Sequence, residues 1–219
     1  RLYWLGRYYQ RVALSLQYMM NCYDAMIDTN SFDYEGYCQQ QGIPNIYQGV
    51  EDFFQRYIFD MENPNSIRSA AELMLGNGMV LRESIGSSTL AYLQMAVYAL
   101  DEGAGGEATG LQMLEVLDNI MAFRGSYDDF IADDNVRNII KCGASVECIS
   151  FALRTGYREE NVPEELRKFI KRITRTKLPI SALALQSILR QERIFDGKNT
   201  DDVLSKDDFL QAVENLFLV

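Results

Sequence analysis

Leu2-Tyr3-Trp4-Leu5-Gly6-Arg7-Tyr8-Tyr9-Gln10-Arg11 opens the chain and decides how the rest is read. From this stretch an apolar seam continues as Leu2, Leu5, Tyr9, Val12, Leu16, Met19, Tyr23 and Met26, in alternating steps of three and four. That period predicts one helix over residues 2–27, with the seam packed against other helices. A second stripe, Trp4, Tyr8, Arg11, Ser15, Tyr18 and Cys22, runs beside the first. A helix contacted on two sides is expected to be central. Arg11 falls about 120° from the middle of the seam, among Tyr8, Ser15 and Tyr18, where a guanidinium can be partly buried and hydrogen-bonded.

Downstream, helical patterns recur and no convincing alternating strand appears. Residues 28–48 are polar, with Gly36, Gly42 and Pro44, and read as a long loop or lid. A short helix is expected near Val50–Phe59. Asn63-Pro64 then reads as the start of another, with asparagine as cap and proline in the first turn, running to about Ile85. Gly76 and Gly78 inside it suggest a bend or a close helix contact. Further helices are expected near Ser88–Leu100, Gly110–Phe123, Asp134–Arg154, Pro163–Arg175, Ile180–Ile194 and Lys206–Phe217, the last capped by Ser205 with Asp208. The glycine-rich Asp101–Gly110 segment reads as a turn. A phosphate-binding loop there would need a preceding strand and a following Lys-Ser/Thr, and has neither. The expected fold is all-α, a multi-helix bundle, and only four prolines in 219 residues leave room for long helices.

Composition narrows the chemistry. The net charge is −10, which argues against nucleic acid and against anionic membrane surfaces as partners. No apolar run approaches the roughly 20 residues of a membrane span. No signal peptide is legible, and Arg1 opens directly into a helical pattern, so a trimmed or missing N-terminus and a cytoplasmic location are expected. The chain has no histidine, and its four cysteines, Cys22, Cys38, Cys142 and Cys148, form no Cys-x-x-Cys pair. Reduced thiols, no bound metal and no cofactor are the expectation. A di-iron bundle site normally needs Glu-x-x-His on two helices. Asp128-Asp129 and Asp133-Asp134 suggest either a hard-cation site or helix capping, and capping is the plainer reading. The acidic Asp196–Asp208 stretch lacks the glycine of an EF-hand loop and reads as a solvated turn.

The opening decapeptide resembles the start of the bacterial alpha-E family, a Leu-Tyr-Trp-Leu-Gly-Arg-Tyr-x-Glu-Arg helix. Asn63-Pro64-Asn65-Ser66-Ile67, followed by Asn77 and Arg82, is similar to a second block of that family. The family repeats its first helix later in the chain, and Lys141-Cys142-Gly143-Ala144-Ser145-Val146-Glu147-Cys148 occupies the matching place. With Gly6 set against Gly143, Gln10 matches Glu147 and Arg11 matches Cys148, so one Arg and one Glu survive on two helices. The resemblance implies a single helical domain over 1–219 with two pseudo-repeated halves, roughly 1–105 and 106–219. It also implies proximity to circularly permuted ATP-grasp ligases and transglutaminase-like proteins.

Three functions follow as expectations. One is a non-catalytic helical partner of an ATP-grasp-type amide or peptide ligase, binding that enzyme or presenting its acceptor. Another is an enzyme or small-molecule-binding protein with an Arg/Glu pocket for a carboxylated or amidated substrate. The third is a stand-alone interaction module. Whether the chain catalyses anything is left open by its residues. Arg11, Arg82, Glu147, Tyr8 and Asn77 are the candidate ligand-binding residues, against the plainer reading of an interhelical salt bridge. The basic run Arg167, Lys168, Lys171, Arg172 and Arg175, extended by Lys177, is the candidate docking face for a protein partner. Self-association into a homo-oligomer is a further expectation.

Overall fold

A computed structural model describes residues 1–29, 31–104, 110–197 and 204–218. Among the described residues the regular secondary structure is helical, joined by loops and turns, with one isolated antiparallel bridge between Ile180 and Phe217. In chain order the helices are α1 (Leu2–Thr29), α2 (Tyr34–Gln41), α3 (Val50–Phe59), α4 (Ile67–Val80), α5 (Arg82–Ile85), α6 (Ser87–Ala104), α7 (Gly110–Phe130), α8 (Asp134–Thr155), α9 (Val162–Ile173), α10 (Ala182–Phe195) and α11 (Lys206–Glu214). None of the described helices is long and apolar enough to cross a membrane.

Helix α1 is central because its seam is almost wholly interior: Leu5, Tyr9, Val12, Leu16 and Met19 are buried. They enter a core built with α3, α4, α6 and α7, which includes Phe53, Met74, Leu93 and Phe123. A second core gathers α8, α9, α10 and α11 around Val146, Leu166, Ile188 and Val213. Helix α7, which a division at residue 105 groups with the second half, places Met113, Val116 and Ile120 in the first core. The two cores meet along α1 and α8, which pack against each other. Tyr3 of α1 joins the second core, whereas Ile140 and Ala144 of α8 join the first.

Two glycines set this crossing. A Cβ at Gly6 would overlap the carbonyl oxygen of Ile140 and crowd the amide nitrogen of Ala144. A Cβ at Gly143 would overlap the carbonyl oxygen of Tyr3 and crowd the amide nitrogen of Arg7. Backbone therefore touches backbone, an approach open only to a residue without a side chain. The contacts are reciprocal, since each glycine meets the residue three before and the residue one after its counterpart.

Several local expectations are corrected. The 28–48 segment contains helix α2, capped by Asp33, whose side chain accepts from the Gly36 amide, and ended by left-handed Gly42 at φ 67°. Its buried face is short, Tyr37 and Cys38, which gives little periodicity to read. Asn63-Pro64 precedes α4 rather than starting it. Asn63 accepts from the Asn65 amide in a local turn, and Ser66 caps the helix by accepting from the Ser69 amide. The expected helix to Ile85 breaks at Leu81 and turns at Gly86, φ 86°. Gly76 is open, while Gly78 lies against Leu90 and Leu93 of α6, so only the second marks a close contact. The expected turn from Asp101 begins later, because α6 continues to Ala104; residues 105–109 lie outside the described residues. Ser205 caps α11 by accepting from the Asp208 amide, while residues 198–203 of the acidic stretch lie outside the described residues.

Candidate functional site

The glycine crossing brings α1 and α8 close enough for a three-residue ionic cluster. Glu147 sits one turn beyond Gly143, and Arg7 and Arg11 lie one and five residues beyond Gly6. Arg7 Nε donates to Glu147 Oε2 at 2.6 Å, and Arg11 Nε donates to Glu147 Oε1 at 2.7 Å. Arg11 Nη2 adds a second bond to Oε2 at 3.2 Å, and Arg7 Nη1 donates to the Tyr3 hydroxyl at 3.3 Å. Glu147 and Arg7 are buried, with side-chain exposures of 5% and 9%, whereas Arg11 is 39% exposed.

Burial alone would push the Glu147 carboxyl up. The Arg11 and Arg7 guanidiniums, with their hydrogen bonds, outweigh burial and hold it below the ordinary carboxylate value. The cluster thus carries two positive charges against one negative, with the surplus on its exposed member, Arg11.

That member opens into a cleft of about 270 Å³ between α1, α8, the end of α2 and the start of α4. Tyr8, Ser15, Gln41, Tyr57 and Arg154 line it with Arg11, and Asn65-Ser66 closes one end. The Arg11 guanidinium lies 5.8 Å from the Tyr8 ring centre. Arg154 projects from the last turn of α8 and is paired with Glu214 of α11. The Gln41 amide nitrogen is buried and has no hydrogen-bond partner among the described residues. A buried donor without a partner costs about 1–3 kcal/mol, which an acceptor bound in the cleft would offset. The lining therefore offers guanidinium, amide and hydroxyl donors, the complement of a carboxylate or phosphate.

Of the residues singled out in the sequence, Arg11 and Glu147 meet and Tyr8 stands beside them. Arg82 does not join them: it is exposed on α5 and donates to Ser87 Oγ at 2.9 Å. Asn77 is buried but turned to its own helix, donating to the Leu73 carbonyl at 2.7 Å and accepting from Arg1 at 3.4 Å. Neither lines the cleft. Arg7, Gln41, Tyr57 and Arg154 were not anticipated. Two of them had a signal, since Arg7 precedes Arg11 by one helical turn and Arg154 follows Glu147 by two. Gln41 and Tyr57 arrive from elements that only tertiary packing brings to α1.

The basic helix α9 presents a mixed face. Lys168 pairs with Glu164 at 2.7 Å, Arg167 with Asp196 at 3.1 Å and Arg172 with Glu165 at 2.6 Å. Lys171, and Arg175 in the turn just beyond the end of α9 at Ile173, are exposed and make no ion pair among the described residues. Arg172 is turned inward and lines a trough of about 490 Å³ with Arg124, Asp128 and Lys141.

The acidic residues near 130 have local partners. Asp133 caps α8 by accepting from the Val136 amide at 3.1 Å, Asp134 pairs with Arg137 at 2.9 Å, and Asp128 pairs with Lys141. Among the described residues no group of three or more carboxylates or thiols is placed to hold a metal ion. The four cysteines are free, and burial pushes Cys142 and Cys148 up to about 12, far from a thiolate nucleophile.

Comparison with known proteins agrees with the helical architecture. The Alpha-E family, described as a predicted alpha-helical domain with a conserved ER motif, matches residues 1–192. No curated protein and no solved structure matches the chain. The match spans most of the protein, from the opening helix into α10, and the chain belongs to the Alpha-E family.

Proposed function

We propose that this domain binds a carboxylated or phosphorylated small molecule in the Arg11 cleft, as a non-catalytic helical partner of an ATP-grasp-type ligase. The observation that carries the reading is the unequal charge of the buried cluster. One carboxylate, Glu147, faces two arginines, and the surplus charge stands on Arg11 at the mouth of the cleft. Arg7 alone balances the Glu147 charge, so the second arginine adds a positive charge that the buried pair does not need. The second arginine is anchored by Nε and Nη2, which leaves its Nη1 edge for a ligand. Arg7 and Glu147 act as positioning residues that hold Arg11 in one orientation, which lowers the entropy lost on binding.

The family resemblance supplies the ligase context. An ATP-grasp ligase joins a carboxylate to an amine, so a helical partner with an anion cleft suits holding a carboxylated substrate or product. The absence of histidine, the raised thiols and the ion-paired Glu147 leave no evident general base, which favours binding over catalysis. Calorimetric titration with inorganic phosphate and with succinate tests the reading. Saturable binding that Arg11→Gln weakens by about tenfold or more is expected, as for one charge-assisted contact. Equal binding by the two proteins would refute it.

A further inference from the structure

The reciprocal glycine contacts relate α1 and α8 by a shift of 137 residues, from Gly6 to Gly143. The same shift carries Arg11, Val12 and Ser15, which line the first cleft, to Cys148, Ile149 and Ala152. It carries Arg154 back to Gln17. All four of these counterparts line a second cleft, of about 230 Å³, on the other side of the helix pair. The start of α4, at Ser66 and Ile67, closes one end of the first cleft, and Asn161 and Val162, at the start of α9, line the second.

The counterpart of Arg11 is a thiol, so the second cleft lacks that guanidinium. Two arginines from elsewhere replace it. Arg124 reaches the cleft from α7 and makes no ion pair among the described residues. Arg158 donates to Gln17 at 3.2 Å and lies 5.0 Å from the Tyr157 ring centre, also without an ion pair there. Arg158 is the one non-glycine residue with positive φ among those described, at 55°. A left-handed backbone at a charged residue costs energy and persists where the surroundings fix it. Glu165, the acidic group of this lining, is already engaged by Arg172 and by the Ser145 hydroxyl at 2.7 Å. Ile149, Phe151 and Ala152 give the cleft an apolar wall.

We infer that the domain has a second anion site, between Arg124 and Arg158, for a carboxylate or phosphate carrying an apolar part. The site goes beyond the Arg11 cleft and does not need it to be occupied.

Arginine Nε–Hε NMR signals of the full chain separate the two sites, with inorganic phosphate and butyrate as probes. Saturable shifts of Arg124 and Arg158 with at least one probe are expected, and they persist in Arg11→Gln. In the double variant R124Q/R158Q, affinity read at Tyr157 falls about tenfold or more while any Arg11 shift is retained. Fixed Arg124 and Arg158 signals, or a drift without saturation, would overturn the second site alone. A silent Arg11 beside responding Arg124 and Arg158 would count against the first cleft only.

Discussion

Gly6 and Gly143 lie backbone to backbone, each where a single methyl group would strike the other helix. The contact holds α1 and α8 close beside the ionic cluster, where Arg7 and Arg11 meet Glu147 at 2.6 and 2.7 Å. Gly6→Ala and Gly143→Ala are each expected to destabilise the fold at the upper end of overpacking effects, about 3 kcal/mol. Gly76→Ala is the control: nothing surrounds its Cβ position, so removing a helix-interior glycine should stabilise by about 0.5–1 kcal/mol. Urea denaturation of the three variants checks the contrast.

The cluster should respond asymmetrically to mutation. Glu147→Leu leaves Arg7 buried without its partner and is expected to cost about 3–5 kcal/mol. The double variant R7M/E147L should recover much of that loss, since a buried ion pair replaced by apolar side chains is often neutral. Arg11→Gln should cost about 1 kcal/mol or less, because that side chain is more than a third exposed. Equal losses for Glu147→Leu and R7M/E147L would contradict the ion-pair account.

Stability should also depend on pH through Glu147. Its carboxyl is held below the ordinary value in the folded chain, so the unfolded chain binds more protons between the folded and unfolded values. Stability therefore rises with pH through that window and is lost as pH falls through the folded value. Between about pH 6 and pH 3, wild type should lose more stability than Glu147→Gln. Parallel denaturation profiles would rule the contribution out.

Much of this was legible in the sequence, for physical reasons. The α1 seam follows from its alternating steps of three and four, Arg11 stands beside that seam among Tyr8, Ser15 and Tyr18, and Glu147 is marked by the match of Gly143 to Gly6. Helix α2 was missed because its buried face is two residues wide. Arg82 and Asn77 were grouped with Arg11 by family resemblance, which carries no distance. Arg82 points outward on a one-turn helix, and Asn77 satisfies itself on its own backbone. The cleft could not be read, since Gln41, Tyr57 and Ser66 come from elements whose placement depends on tertiary packing.

A protein partner with an acidic docking surface would meet the exposed charges of α9 and of the turn that follows it. Lys168, Arg167 and Arg172 already have carboxylates beside them, so Lys171 and Arg175 should dominate. Reversing both to glutamate is expected to slow association with a ligase partner and flatten its salt dependence, with the fold intact by circular dichroism. Unchanged association rates across salt concentrations would remove α9 from the interface.

The Arg11 cleft itself is tested most directly by anomalous diffraction from crystals equilibrated with selenate, a heavy analogue of a small oxyanion. The account predicts a selenium peak with oxygens within about 3 Å of the Arg11 Nη1 edge and the Gln41 amide nitrogen, and no such peak in Arg11→Gln crystals. Selenate ordered elsewhere on the protein, with the Arg11 cleft holding only water, would contradict it.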